Sequence, residues 1–351
     1  MAGVTLESVS KVFAGIYAVR DVSFAAPDRC FCVIVGPASC GKSTVLRMIA
    51  GLETASDGRI SIGGRRVDAL APAARDLAMV FQDLALYPHM RIADNLAYGL
   101  RNRRTPADEI DRRVRAIAGE LALSDALLAR KPHQLSPPQR LRAALARALV
   151  RRPALVLLDE PLAPIDPAAR GALRVDLRRL QRGLGAAALY AARDPIEAMA
   201  LADMLVVMNA GTVEQIGAPM ELYERPASVF VARFLGAPPM NIMTGAIEAP
   251  GRVRLENGET LGYDAAHFGP PRGAAVAVGV RPEQMGFSAT DGLAFTIAAV
   301  EELGAGRLVH GAAGGAPVTV AQPSAAPAPT LRLRIAPQDV HLFDKASGVR
   351  L

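Results

Sequence analysis

The amino-acid sequence predicts an α/β domain followed by an all-β domain, and three features support this prediction. Apolar runs typical of buried strands alternate with helical patterns, and one such run leads directly into a glycine-containing loop. Beyond residue 236 the chain changes to short strands separated by glycine, proline and alanine, which is the pattern of a small β-barrel. With 351 residues the chain is also long enough for two hydrophobic cores.

The first elements follow from the order of polar and apolar residues. Residues 6–24 alternate between the two types around Gly15, which predicts a pair of antiparallel strands. Residues 31–35, Phe-Cys-Val-Ile-Val, predict a strand buried on both faces. The helical pattern that follows the glycine loop ends at Gly51, a typical helix stop. The predicted order is therefore strand, loop, helix.

Strand-like runs disappear between about residues 87 and 152, where helical spacing dominates. A second buried strand is predicted at residues 154–158. We therefore expect a first domain over residues 1–236, with a helical insert at about 87–152, and a second, β-barrel domain over residues 237–351.

Composition excludes several classes of protein. With 51% hydrophobic and 21% charged residues, and no charge-free apolar stretch of about 18 residues, the chain is expected not to span a bilayer. The N-terminus lacks the pattern of a secretion signal, so we expect a cytosolic protein. Cys30, Cys32 and Cys40 lie in one short segment and predict neither a disulfide framework nor a metal site. The net charge of +6 is dispersed, which argues against a nucleic-acid partner.

The strongest motif is a loop that fits G-x-x-x-x-G-K-[ST] between a strand and a helix. Phosphates need backbone N–H donors at a helix N-terminus, a long cation and, for Mg²⁺, a hydroxyl. Gly41, Lys42 and Ser43 supply these at the required spacing. The alternative, a plain glycine turn before a core helix, is disfavoured by the flanking pattern. The predicted ATP-binding loop consists of Gly36, Pro37, Ala38, Ser39, Cys40, Gly41, Lys42, Ser43 and Thr44.

Two acids end the second buried strand. Asp159 suits a role in holding Mg²⁺, together with Ser43, and Glu160 suits a role in polarising an attacking water. Acids at a strand end can also simply cap the following turn. Combined with the phosphate loop, they favour the functional interpretation.

At this point the chain resembles the ABC-transporter ATPases of the carbohydrate, polyol and glycerol-phosphate importer branch, typified by the maltose importer's ATPase. Residues 80–90, Val-Phe-Gln-Asp-Leu-Ala-Leu-Tyr-Pro-His-Met, match that family's glutamine loop, and residues 279–283 and 340–344 resemble its OB-like regulatory domain. The resemblance implies that Gln82 contacts Mg²⁺ or the attacking water, and that Asp166 belongs to the D-loop. It also implies that Phe13 stacks on adenine, although Phe13 suits a half-buried strand equally well.

The sequence departs from this family at several positions. The signature L-S-G-G-Q is replaced by Leu-Ser-Pro-Pro-Gln at residues 135–139, and proline has no N–H to offer a phosphate. In the family, Ser136 and Gln139 would contact the nucleotide of the opposite subunit. Arg193 occupies the place of the switch histidine, where it could still contact a γ-phosphate as a fixed cation but cannot exchange protons near neutrality. Ser39 stands where the loop usually has glycine, and Ala-Pro-Ile replaces Ser-Asn-Leu before Asp166.

The resemblance implies a subunit on the cytoplasmic face of the bacterial inner membrane that works with a second ATPase subunit, two transmembrane permease subunits and, indirectly, a solute-binding protein. Because of the altered motifs, we expect a degenerate ATP-binding subunit that pairs with a non-identical, more complete ATPase. The alternative is a regulatory pseudo-ATPase that binds ATP without turnover, against which the intact 82–90 stretch argues. ATPase-driven nucleic-acid handling would need a basic stripe or a coiled-coil insert.

Overall fold

The computed structural model describes residues 3–269, 271–304, 306–322 and 331–351. They form two compact units, the first ending at Pro219 and the second beginning at Met220. Among the described residues, no helix has the length and apolar character needed to cross a membrane.

The first unit combines two sheets with a set of helices, as the sequence predicts. Its elements are β1 Val4–Phe13, β2 Ile16–Ala26, β3 Phe31–Val35, α1 Lys42–Ala50, β4 Asp57–Ile62, β5 Arg65–Arg66, β6 Leu77–Val80, α2 Ile92–Asn102, α3 Ala107–Glu120, α4 Asp125–Leu128, α5 Pro137–Leu149, β7 Leu155–Asp159, α6 Pro167–Leu184, β8 Ala187–Ala192, α7 Pro195–Leu201, β9 Met204–Asn209 and β10 Thr212–Gly217. The chain between β6 and β7 is helical, from α2 to α5.

Strand pairing in this unit places β3 in the middle of a mainly parallel sheet. Within the described residues its order is β10-β9-β3-β8-β7-β6, and only β10 runs antiparallel to its neighbour. All five residues of β3 are buried, as expected for an uninterrupted apolar run. The predicted antiparallel pair is also present, since β1 pairs with β2 from Val4↔Ala26 to Phe13↔Ile16.

Helix α1 lies between the two sheets of the first unit. Its apolar residues Val45, Leu46 and Ile49 share one buried cluster with residues of β1 and β4 on one side and of β3, β7, β8 and β9 on the other. A helix buried on both sides is held rigidly, because protein cores are close-packed. The loop before α1 therefore has a fixed position.

The second unit consists mainly of antiparallel strands. Its elements after α8 (Pro219–Glu224) are α9 Val229–Phe234, β11 Asn241–Ala249, β12 Arg252–Leu255, β13 Thr260–Gly262, β14 Ala275–Val280, β15 Met285–Ser288, β16 Leu293–Glu302, β17 Arg307–Ala313, β18 Ala316–Gln322, β19 Leu331–Ile335 and β20 His341–Asp344. In the part of the chain that is described, they form sheets of order β13-β12-β11-β14-β20 and β15-β19-β16-β17-β18. Alternate residues of both sheets fill one apolar core.

One buried arginine hydrogen-bonds to helices α8 and α9 of the second unit. Arg281, only 1% exposed, donates Nη1 to the carbonyl of Ala232 (3.0 Å) and Nη2 to that of Tyr223 (2.6 Å), and its guanidinium lies 3.6 Å from the Tyr223 ring centroid. Burial lowers the pKa of Arg281. Carbonyls at helix C-termini carry partial negative charge, which compensates for the buried cation. The domain boundary expected at residue 236 stays a prediction. The second compact unit of the structure begins earlier, at Met220.

Replacing Arg281 by methionine is expected to destabilise the second unit by about 3 kcal/mol, because several buried carbonyls lose their donor. Urea unfolding of the full chain, followed by circular dichroism, measures this loss. Arg334→Met is the matched control, because Arg334 is exposed on β19 and its replacement should cost less than about 0.5 kcal/mol. Equal effects of the two substitutions would contradict the structural role of Arg281.

Candidate functional site

The predicted phosphate loop connects β3 to α1 with a geometry that only glycine permits at two positions. A Cβ atom on Gly36 would lie 2.2 Å from the carbonyl oxygen of Met208, and one on Gly41 would lie 2.6 Å from that of Ala18. Gly41 also has a φ of +103° as the N-cap of α1. The two glycines thus keep the backbone close to its neighbours and leave the N-terminus of α1 open to an anion.

Replacing Gly36 by alanine should destabilise the first unit by about 3 kcal/mol, because the added methyl group overlaps backbone that cannot move cheaply. The matched control is Gly183→Ala in α6, where an added Cβ meets nothing within 4 Å. That control should instead stabilise the chain by about 0.5 to 1 kcal/mol, as alanine favours helix over glycine. Denaturant unfolding of both variants tests the pair, and a harmless Gly36→Ala would refute the close approach.

Lys42 lies against the loop that precedes it. Its side chain is 3% exposed, and Nζ donates to the carbonyls of Gly36 (2.8 Å) and Pro37 (2.7 Å) and lies 3.7 Å from Cys40 Sγ. A buried ammonium costs free energy unless it is hydrogen-bonded, so the loop carbonyls hold it in place. Ser39, which stands where glycine is usual, has a φ of +62° in the left-handed region that glycine occupies without strain.

The predicted Mg²⁺ ligands come together in one open cleft. Ser43 Oγ donates to Asp159 Oδ1 at 2.8 Å, and both residues line the cleft with Gln82. Asp159 is 5% exposed, and burial raises its pKa while the Ser43 hydrogen bond opposes this shift. Hydroxyl, carboxylate and amide oxygens are hard ligands of the kind that Mg²⁺ accepts alongside phosphate oxygens. The residues present therefore fit Mg²⁺ bound together with a nucleoside triphosphate.

Glu160 and Arg193 form an ion pair beside this cleft. Arg193 Nε lies 2.7 Å from Glu160 Oε1 and 2.6 Å from Oε2, and the pairing raises the pKa of Arg193. The Glu160 side chain is 7% exposed and that of Arg193 57%. Glu160 also has a φ of +46°, and its N–H donates to the carbonyl of Ala191 at the end of β8. The structure thus brings together the predicted base and the arginine in the histidine position.

Phe13 lies at the end of β1 and is 45% exposed. Half-exposed at a hairpin end, the ring is available for stacking, and its contact with adenine remains a prediction. Lys11 Nζ lies 4.7 Å from the Phe13 ring centroid.

The substituted signature forms an ordinary helix start. Ser136 is the N-cap of α5, its Oγ accepts from the Gln139 N–H (3.4 Å), and its own N–H donates to Gln139 Oε1 (3.0 Å). Pro137 and Pro138 occupy the first two helical positions, where proline is tolerated. Asp166 is the exposed N-cap of α6. The contact of Ser136, Gln139 and Asp166 with a nucleotide stays a prediction.

Sequence reasoning missed Arg47, which lines the same cleft as Ser43, Gln82 and Asp159. Its charge opposes the burial-driven rise in the pKa of Asp159. Arg47 stands four residues after Ser43 in α1, and residues at that spacing lie on one helix face. That spacing was the signal from which Arg47 could have been found.

Family models match most of the chain. A model described as "ABC transporter" matches residues 19–163, one described as "MalK OB fold domain" matches 236–285, and a "TOBE domain" model matches 278–343.

Full-length relatives were also found. The chain is 47% identical over 356 residues to the sn-glycerol-3-phosphate import ATP-binding protein UgpC of Jannaschia sp. (strain CCS1), covering 100% of both chains. It is 48% identical over 361 residues to the protein of the same name from Rhodopseudomonas palustris (strain HaA2), covering 99% of this chain and 95% of the relative.

Solved structures resemble the chain over part of its length. The dimeric structure of MJ0796, a bacterial ABC transporter cassette, is 25% identical with a TM-score of 0.56, covering 62% of this chain and 98% of that one. The structure of cbiO1 from Clostridium perfringens, part of the ABC transporter complex cbiONQ, is 26% identical with a TM-score of 0.59, covering 63% of this chain and 90% of that one.

Proposed function

The chain belongs to the ABC-transporter ATP-binding proteins that carry MalK-type OB and TOBE domains, and on that premise we propose that it energises import of sn-glycerol-3-phosphate. The observation that carries the proposal is the cleft in which Ser43 and Asp159 are hydrogen-bonded at the N-terminus of a buried helix, directly after the loop that holds Lys42. The choice of solute is supported by the names of full-length relatives, which include sn-glycerol-3-phosphate. The sequence prediction of a sugar, polyol or other glycerol-type solute is the broader alternative.

The residues of the cleft divide the work of nucleotide binding. The N–H groups at the start of α1 and the Lys42 ammonium bind phosphate oxygens, and Ser43, Gln82 and Asp159 hold Mg²⁺ between them. ATP, when bound, supplies the phosphoryl group whose hydrolysis drives transport. Glu160 orients and polarises the attacking water, for which it must first leave Arg193.

The chain works as a peripheral subunit on the cytoplasmic face of the inner membrane, attached to two permease subunits that receive solute from a binding protein. The permease contact includes Tyr87, Pro88 and His89. Support comes from the way this segment is held, because Tyr87 N–H donates to Asn95 Oδ1 (2.7 Å) and Asn95 is fully buried, whereas Pro88 and His89 are exposed. A fixed backbone that presents exposed side chains suits a docking surface.

Hydrolysis by this chain alone is weak, and its partner is a second, non-identical ATPase subunit. Support comes from Pro137 and Pro138, which remove two N–H donors from the helix start that would face the partner's nucleotide. A partner with a glycine signature supplies the N–H donors that face a nucleotide bound at the phosphate loop of this chain. Native mass spectrometry of the complex purified from the source cell tests this pairing. Two copies of this chain, rather than one copy beside a different ATPase, would overturn it.

Transport is tested by reconstituting the chain in proteoliposomes with permease subunits and a binding protein from the same cell. We expect ATP inside the vesicles to drive uptake of labelled sn-glycerol-3-phosphate, with maltose and glycerol as competing solutes. ATP binding without uptake of any solute would favour the alternative of a regulatory pseudo-ATPase. Uptake of maltose in preference to sn-glycerol-3-phosphate would support the transport function but contradict the proposed solute.

A further inference from the structure

Three side chains, those of Lys11, Phe13 and Glu53, form a cluster near the C-terminal end of α1, and none of them has a role in the phosphate and Mg²⁺ contacts proposed above. Lys11, on β1, donates Nζ to Glu53 Oε1 (2.6 Å) and to the carbonyl of Thr54 (2.7 Å), and Nζ also lies 4.7 Å from the Phe13 ring centroid. The Lys11 side chain is 12% exposed although it carries a charge. A lysine this well buried is held in place by its three partners.

The cluster is connected to the helix that binds phosphate. The N–H of Glu53 donates to the carbonyl of Arg47 in the last turn of α1 (3.2 Å). Helix α1 begins at Lys42 and is packed between two sheets, so its two ends move together. Lys11 therefore links the Phe13 ring to the same helix whose first turn receives the phosphates.

The ammonium also determines which face of the ring is usable. An aromatic ring has two faces of negative potential, and a cation on one face is attracted there. With Lys11 on one side, Phe13 retains one face for stacking, and its 45% exposure shows that solvent reaches the ring. A neutral base suits that remaining face, because the ring cloud is polarised toward the ammonium.

We propose that Lys11 is a positioning residue for nucleotide binding, which holds the Phe13 ring at a fixed distance from the phosphate site so that base and phosphates are bound together. This inference rests on the proposed ATP-binding function and assigns Lys11 no contact with the nucleotide. Glu53 anchors the ammonium, and the Lys11 hydrogen bond lowers the pKa of the Glu53 carboxyl.

The backbone of β1 is held independently of Lys11. Val12 N–H donates to Ser56 Oγ (3.0 Å), and Ser56 N–H donates to the carbonyl of Ser10 (2.8 Å). Lys11→Met should therefore leave the hairpin folded while releasing the ring. Two further variants complete the set: Lys11→Arg, which can keep both the charge and the hydrogen bonds, and Lys345→Met, an exposed lysine of the second unit that serves as the control.

Calorimetric titration with Mg-ATP and with magnesium tripolyphosphate, which has no base, tests the proposal. Lys11→Met should weaken Mg-ATP binding about 5- to 10-fold and leave tripolyphosphate binding unchanged. Lys11→Arg should restore Mg-ATP binding, and Lys345→Met should match the native chain. In a Phe13→Leu background, Lys11→Met should add no further loss, because it acts through the ring.

Parallel weakening of tripolyphosphate binding, failure of arginine to restore affinity, or full additivity with Phe13→Leu would each overturn the positioning role. These outcomes differ from a failure of the proposed function itself. A native chain that binds neither ligand would overturn the nucleotide site and, with it, this inference.

Discussion

Replacing Lys42 by alanine is expected to lower the affinity for Mg-ATP by at least about 10²-fold, since charged hydrogen bonds to two phosphates are lost. Lys42 is 3% exposed, and its ammonium is already held beside the loop by two carbonyls. Little side-chain entropy is therefore lost when a phosphate binds, which strengthens each contact. Isothermal titration calorimetry at fixed Mg²⁺ measures the change.

Two further variants distinguish the loss of the Lys42 contact with phosphate from a loss of folding. Lys131→Ala is the matched control, because Lys131 is exposed in the same unit and should bind Mg-ATP like the native chain. Lys42→Arg keeps the charge but places a wider group in a buried space, so its affinity should fall between those of the native chain and the alanine variant. A folded Lys42→Ala protein that binds Mg-ATP within about threefold of the native chain would exclude this loop as the nucleotide site.

The order of elements around the phosphate loop could be predicted because local signals agree there. An uninterrupted apolar run at residues 31–35, glycines at 36 and 41 and a helical pattern after them all indicate one strand–loop–helix unit, and the structure has it. The contact between Ser43 and Asp159 agrees with their shared predicted role in holding Mg²⁺. Ser43 lies in the first turn of the helix after β3, Asp159 ends β7, and both strands belong to one mainly parallel sheet.

The contacts that sequence reasoning did not predict involve long side chains from distant segments. Lys11 forms an ion pair with Glu53, and Arg193 forms one with Glu160. Arg281 donates hydrogen bonds to backbone carbonyls more than forty residues earlier in the chain. A charged residue carries no periodicity that identifies its partner, so only the packed structure shows which acid or carbonyl it reaches. The grouping of residues 220–235 with the β-strands could not be predicted for the same reason, because carbonyls of α8 and α9 accept hydrogen bonds from Arg281, which follows β14.

Replacing Pro137 and Pro138 together by glycine should raise the ATPase rate of the self-paired chain by about 10²-fold, because it restores two N–H donors at the start of α5. The same change removes two rings from a site where a phosphate of the opposite subunit would approach. Helix α5 should persist, since the Ser136–Gln139 capping box does not depend on the prolines. Phosphate release is measured at chain concentrations that favour self-association.

The matched control is Pro106→Gly, which makes the same exchange at the exposed start of α3 and should leave the rate unchanged. Its loss of stability, about 1 kcal/mol, estimates what the exchange costs apart from phosphate contact. If the double glycine variant is no faster than the native chain, the signature does not limit turnover. A native chain that already hydrolyses ATP rapidly would remove the basis for the second, non-identical subunit.

Adding Arg193→His to the double glycine variant separates the two altered motifs. Arg193 stays charged at all working pH values, because a guanidinium is not deprotonated in proteins, and its pairing with Glu160 raises its pKa further. A histidine paired with Glu160 would have its pKa raised above about 6.5, so the pair would persist below that pH and be lost as the pH rises. The rate of the triple variant should therefore increase between about pH 6 and pH 8, whereas that of the double variant should not show this rise. Identical pH profiles would mean that the ion pair does not restrain Glu160.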